Sequence, residues 1–222
     1  MDENTMVIDI PEELENLKLP SPALIDTYSD RKERKIFVIG DIDDCLFDII
    51  RQIMNYNSED KDIPINERKK IYVYVYSYGG DLTIAYSLCN TIMCSKTPVV
   101  TVNLGNAMSA GALIFLSGHE RYMHKFGTVM LHTGSGNVGG TFEQAESSMD
   151  NYKKLISIMK DYILDRTKID PKLYAKNSKK DWYIMADECI QLGIADKIIT
   201  DLDEIVWGVS SWLKVRIKLK SK

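Results

Sequence analysis

Apolar positions along the chain switch between two periods, and glycines mark most of the switches. From Lys35 the run Ile36-Phe37-Val38-Ile39 ends at Gly40. Asp41 and Asp43 then offer N-cap oxygens to an apolar-periodic helix through Leu46, Ile49, Ile50 and Ile53. The pattern repeats: Ile71-Tyr72-Val73-Tyr74-Val75-Tyr76 alternates at period two, stops at Gly79-Gly80, and gives way to helical spacing over Leu82 to Cys94. A third β-branched run, Pro98 to Leu104, closes at Gly105 before a short, small-residue-rich helix over Ser109 to Leu116. Three strand-to-helix units predict stacked βα repeats on a parallel sheet, because parallel neighbours need crossover connections. The fold class expected is therefore α/β.

Further along, Thr128-Val129-Met130-Leu131 reads as a short strand leading into Gly134-Ser135-Gly136-Asn137-Val138-Gly139-Gly140. Thr141 to Lys168 follows without Gly or Pro, its apolar stripe running through Met149, Tyr152, Leu155, Ile156, Met159, Tyr162 and Ile163, which suits one long projecting helix. Asp187 to Leu192 predicts a closing helix and Ile194 to Ile199 a last strand, while the polar stretch from Asn55 to Lys70 reads as a loop. An arm over residues 1–23, with a short amphipathic candidate around Glu12 to Leu17, precedes the domain at 24–200. A basic tail over 201–222, where Lys214, Arg216, Lys218, Lys220 and Lys222 alternate with apolar residues, reads as a solvated end.

Composition narrows the class further. At 222 residues with 45% hydrophobic and 27% charged, the chain can bury one substantial core. Its 28 Lys plus Arg against 32 Asp plus Glu create no bulk positive field, so nucleic acid is not expected as a partner. The longest apolar stretch, Leu104 to Leu116, is broken by Gly, Asn and Ser and falls short of the roughly 20 residues of a membrane span. The acidic opening Met1-Asp2-Glu3-Asn4 lacks the basic start of a secretory signal, so a cytoplasmic location is expected. Cys45, Cys89, Cys94 and Cys189 form no CxxC pair and are expected to be reduced and buried, with neither a metal nor a cofactor.

Only three histidines are available as a general base. His119 and His124 sit in a polar stretch and read as surface residues, whereas His132 follows an apolar strand and precedes the glycine loop. Ser109 lies at a strand-to-helix turn in Gly105-Asn106-Ala107-Met108-Ser109-Ala110-Gly111-Ala112. By residue type alone it is a nucleophile or an N-cap, and the spacing is not that of a GxSxG elbow.

Five segments, in order and at compatible spacing, carry a family likeness. They are Tyr76-Ser77-Tyr78-Gly79-Gly80-Asp81, the Gly105 to Ala112 stretch, Met130-Leu131-His132, Asp181-Trp182-Tyr183-Ile184-Met185-Ala186 and Gly193-Ile194-Ala195-Asp196. From about residue 24 to about residue 200 the chain resembles the ClpP-type serine peptidases, including Arg31-Lys32-Glu33-Arg34-Lys35-Ile36-Phe37. The resemblance implies a ClpP/crotonase-like architecture of stacked ββα repeats with a handle helix at about 141–168. It also implies Ser109 as nucleophile, His132 as base and then acid, and Asp181 as the group orienting the imidazole, although a helix cap or surface charge is the plain alternative for Asp181. Backbone N–H groups of Gly80 and Ala110 map to the oxyanion donors, and Gly134, Ser135 and Gly136 to the segment where an extended peptide adds as a strand.

Beyond the single chain, the resemblance implies a homo-oligomer: a heptameric ring, two of which stack through the handle into a tetradecamer enclosing the serines. Tyr72 and Tyr74 fall where the family contacts an AAA+ unfoldase, and the substrate expected is a peptide or unfolded protein. Departures from the family pattern include Tyr78 in place of proline, Thr133-Gly134 after the histidine, Lys180 before Asp181, and an insertion around Asn57 to Arg68. They place the chain among divergent members, such as phage-encoded ones that process capsid proteins. A non-catalytic ring subunit and a crotonase-like acyl-CoA enzyme are the other readings.

Overall fold

The structure, a computed structural model, describes residues 22–205. The arm before Pro22, its helical candidate at Glu12 to Leu17, and the tail beyond residue 205 lie outside the described residues, whereas the start of the segment expected as a solvated end, 201–205, forms a short turn that buries Ile205. Helix α1 (Pro22–Glu33) leads through Arg34, at φ 60°, into strand β1 (Lys35–Ile42) and helix α2 (Leu46–Glu59). The next pair is β2 (Ile71–Gly80) and α3 (Leu82–Cys94), followed by β3 (Val99–Met108) and α4 (Ala110–Ser117). Strands β4 (Glu120–His124) and β5 (Thr128–Leu131) precede the long helix α5 (Phe142–Arg166) and the short α6 (Pro171–Asn177). Strand β6 (Trp182–Met185), helix α7 (Ala186–Gln191) and strand β7 (Lys197–Ile199) complete the order. Among the described residues no helix is long and apolar enough to cross a membrane.

The sheet runs β1-β2-β3-β4-β7, every pair parallel, with β5 and β6 branching off. The branch begins within β3. Val100 to Asn103 pair with Glu120 to Met123 of β4, whereas Asn106 to Met108 pair with Thr128 to Met130 of β5. Where the partners change, the fully buried Asn103 fills the gap: its Nδ2 donates to the Thr128 carbonyl at 3.0 Å and its Oδ1 accepts from Gly105 N–H at 2.9 Å. Strand β6 then adds antiparallel to β5.

One face of the sheet carries the main core. Helix α4 is buried on every side, and Leu113, Ile114, Phe115 and Leu116 are each 0% exposed, worth about 1.5–3 kcal/mol apiece by transfer. This explains the absence of a polar stripe in its sequence: no face of it meets water. A smaller cluster of Tyr72, Tyr74, Val100, Val102 and Ile205 covers the opposite face.

Several expectations need adjustment. The helix expected to fade near Ile53 continues to Glu59, because Tyr56 remains buried and its hydroxyl donates to the Arg31 carbonyl at 2.8 Å. Neither Asp41 nor Asp43 caps α2; Cys45 occupies the N-cap, and Asp43 Oδ1 accepts from Cys45 N–H just ahead of the helix. Strands β2 and β3 run past their hydrophobic runs to Gly80 and Met108, while β4, β6 and α6 carry no clear pattern in the sequence. Of the cysteines, Cys89 and Cys189 are buried, but Cys45 and Cys94 are exposed, since each lies at one end of a helix rather than on its packed face; all four are free. His124, expected on the surface, ends β4 half-buried.

Candidate active site

The fork in the sheet brings three segments to one place. Ser109 follows the last residue of β3, and its N–H donates to the Met130 carbonyl of β5 at 2.9 Å. His132 stands one residue beyond β5, so the backbone bond to Met130 sets its distance from the serine. Asp181 stands one residue before β6, and the antiparallel register Leu131↔Trp182 makes His132 and Asp181 the next opposed positions. Thr133 N–H donates to the Ser178 carbonyl at 2.8 Å, tying the two segments together beyond the ladder.

Ser109 occupies the N-cap of α4, yet its side chain makes no capping bond. Its Oγ instead lies 2.7 Å from His132 Nε2, which decides against the cap reading. The backbone there has φ 52° and ψ −121°, a conformation costing a non-glycine residue about 1–3 kcal/mol. It turns Oγ out of the capping position and toward the imidazole. Gly79 makes room for it, and Gly111 lets α4 pack closely on Ser77. A Cβ on Gly79 would come within 2.8 Å of Ser109 Cβ, and one on Gly111 within 3.0 Å of Ser77 Cβ beneath the helix.

On the far side of the imidazole, Nδ1 is 3.5 Å from Asp181 Oδ1, longer than a hydrogen bond. His132's side chain is 16% exposed and that of Asp181 is 54% exposed, so water competes for the carboxylate. Gly80, at φ 146°, packs so tightly that a Cβ would meet the Ile42 oxygen at 2.5 Å. Ala110 is the first residue of α4, where N–H groups have no carbonyl within the helix to receive them and the helix dipole is positive.

These groups line a cleft of about 670 Å³. Gly80 and Ala110 line it with Ser109 and His132, as do Gly134 and Ser135, while Tyr152, Leu155 and Met159 of α5 add an apolar lining with Leu82 and Met130. Gly134, at φ 86°, runs so close under Tyr152 that a Cβ would lie 2.5 Å from the phenol oxygen. Gly136 is nearby but does not line the cleft. The α5 stripe was legible in the sequence as apolar spacing, but which residues of it face a cleft depends on where the fork sends β5. Asp81 caps α3 from the cleft's edge, and the Thr83 hydroxyl and the N–H groups of Ile84 and Thr83 hold its carboxyl below the usual range. Among the described residues no group of three or more His, Cys, Asp or Glu is placed to hold a metal ion.

Tyr72 and Tyr74 are elsewhere. They lie in the smaller cluster on the opposite face, 5% and 4% exposed, and the Tyr74 hydroxyl donates to the Ile205 carbonyl. Tyr74 is also stacked on Phe37, with centroids 4.8 Å apart, so neither ring is an open surface in the single chain.

Fold comparison gives this architecture its class. The chain superposes with a TM-score of 0.68 on a ClpP1 mutant from Listeria monocytogenes, at 20% identity, over 80% of this chain and 97% of that one. The fold is thus the ClpP-like α/β fold. The family model described as Clp protease matches residues 22–201, and the chain belongs to that family. It is also 27% identical over 171 residues to an ATP-dependent Clp protease proteolytic subunit from Borrelia garinii subsp. bavariensis, covering 76% of this chain and 85% of the relative. The protein is a Clp-type peptidase, and its low identity to both relatives fits a divergent member.

Proposed function

We propose that the protein is a serine endopeptidase that cleaves peptides or unfolded proteins by acyl-enzyme chemistry inside an oligomeric chamber fed by an ATP-dependent unfoldase. The observation that carries this reading is the 2.7 Å approach of Ser109 Oγ to His132 Nε2 on a strained, non-capping serine. A serine hydroxyl is a weak nucleophile until a base takes its proton, and an imidazole at this distance can do so as Oγ attacks the scissile carbonyl.

The steps then follow from the placement of the groups. Asp181 favours the tautomer with the proton on Nδ1 and stabilises the imidazolium. As the carbonyl becomes tetrahedral, its oxygen takes up negative charge between the N–H groups of Gly80 and Ala110, the latter at the positive end of α4. His132 Nε2 returns the proton to the departing amine, leaving an acyl-Ser109 ester. Water, deprotonated by the same imidazole, releases the acid and restores Ser109. Gly134 and Ser135, which line the cleft, hold the substrate backbone extended along it, with Gly136 continuing the segment outside, so recognition is mostly main-chain. The chamber is a homo-oligomeric ring, heptameric by resemblance, with α5 as the element that stacks ring on ring.

The test is intact-mass analysis after reaction with a fluorophosphonate probe, beside Ser109→Ala and His132→Ala proteins, in samples shown by native mass to be assembled. One adduct on the parent and none on either variant is expected. Assembled parent protein that takes up no probe favours a non-catalytic ring subunit.

A further inference from the structure

Resting on the peptidase reading of the cleft, we propose that Tyr78 is a specificity-determining residue that selects substrates carrying a cationic side chain, arginine or lysine, beside the scissile bond. Tyr78 follows Ser77 at the end of β2, two residues before Gly80, and lines the same cleft as Ser109 and His132. Its ring is 59% exposed and is held from behind. Tyr76 meets it edge-on, with centroids 6.0 Å apart at 88°. Its hydroxyl accepts from Asn106 Nδ2 at 3.2 Å and lies 3.4 Å from the Tyr76 hydroxyl. A large aromatic side chain is thus held by Tyr76 and Asn106 while more than half of it stays exposed in the lining of the catalytic cleft.

The charge around that ring decides what it suits. Of the described residues that line the cleft, Asp81 and Asp181 are the carboxylates and none is Lys or Arg. Asp81 receives its three capping bonds on Oδ1. An apolar side chain gains only area from the Tyr78 ring. A guanidinium or ammonium gains the ring's quadrupole as well, and the attraction of Asp81 three residues on. A carboxylate meets repulsion from both aspartates. The apolar wall of Tyr152, Leu155 and Met159 lies across α5 and offers a separate site for an uncharged side chain, so the two recognitions do not compete.

The experiment pairs peptides that differ only by arginine or citrulline, which match in shape and differ in charge. Binding is read by fluorescence anisotropy on the assembled Ser109→Ala protein, so the result does not depend on turnover. The arginine peptide is expected to bind about three- to tenfold more tightly, within the range of one cation–π contact plus an exposed ion pair. The ratio should persist in Tyr78→Phe, which keeps the ring, fall toward one in Tyr78→Leu, and shrink in Asp81→Asn, which still caps α3. Fluorophosphonate labelling of parent, Tyr78→Leu and Asp81→Asn proteins checks that the nucleophile is intact. Equal binding of the two peptides overturns the proposal even where the probe labels Ser109, whereas absent labelling with a retained arginine preference overturns the peptidase reading alone. A preference unchanged in Tyr78→Leu removes Tyr78 from the assignment.

Discussion

The 2.7 Å contact between Ser109 Oγ and His132 Nε2 is set by backbone, because the Ser109 N–H donates to the carbonyl of Met130, two residues ahead of the imidazole. A strand pairing thus fixes nucleophile to base before either side chain has chosen a rotamer. Residues that act as such a unit lose activity together. Ser109→Ala and His132→Ala are each expected to lower peptide kcat by about 10⁴-fold or more, and the double variant to be no worse than either single one. Losses that multiply in the double variant, measured with a fluorogenic peptide, contradict a shared step.

Asp181 is held less firmly. At 3.5 Å from Nδ1 and 54% exposed, it competes with water for the imidazole. Asp181→Ala is expected to retain at least about ten times the kcat/KM of His132→Ala, since the base survives and only its tautomer and imidazolium lose support. A loss equal to that of His132→Ala means that the contact tightens when substrate binds or the ring assembles.

Gly80 carries a backbone requirement that can be separated from its N–H. At φ 146°, any Cβ placed on it would stand 2.5 Å from the Ile42 oxygen, so Gly80→Ala forces β1 away from the end of β2. We expect a loss of about 2 kcal/mol in stability from strain at this position. A drop in probe labelling should accompany it, with the protein still folded by circular dichroism. Gly40, also at positive φ (90°) but with nothing within 4 Å of its Cβ position, is the control: Gly40→Ala is expected to cost less and to leave labelling unchanged.

Sequence periodicity and its glycine breaks located most of the strands and helices, and α3 and β5 have the bounds predicted. It missed β4 because Glu120, Arg121, Tyr122 and His124 are polar or amphipathic. Their placement is decided by partners far along the chain: the Arg121 guanidinium reaches Asp196 and the carbonyls of Arg166 and Gly193. Missing β6 has the same origin, since a four-residue strand forms only because β5 offers an edge. The family motifs nominated Ser109, His132 and Asp181, but nothing local to them specifies the fork at Asn103 that brings them together. Nor does an alternating aromatic strand reveal that Tyr74 is roofed by Ile205, 131 residues on.

The insertion around Asn57 to Arg68 also carries the best-buried ion pair among the described residues, and that pair supplies a pH test of stability. Asp60 is 2% exposed and receives both Arg34 nitrogens, at 2.5 and 2.7 Å, as well as the Thr97 hydroxyl at 2.9 Å; together they join the end of α2 to the start of β1 and to the turn before β3. The Arg34 guanidinium, with Thr97, holds the carboxyl below its ordinary value. Asp60→Asn removes the buried partner of Arg34, leaving only the exposed Glu59 at 3.7 Å, and is expected to cost about 3 kcal/mol near neutral pH. As pH falls, the unfolded chain takes up the Asp60 proton first, near about 3.9, and the native state only at a lower pH. The carboxylate's contribution is therefore complete above about pH 5 and is lost as pH drops through the native value. Urea midpoints of parent and variant should differ most near neutral pH and draw together as the medium is acidified toward about pH 3. A gap of constant size across that range assigns the loss to packing around Asp60 and not to its charge.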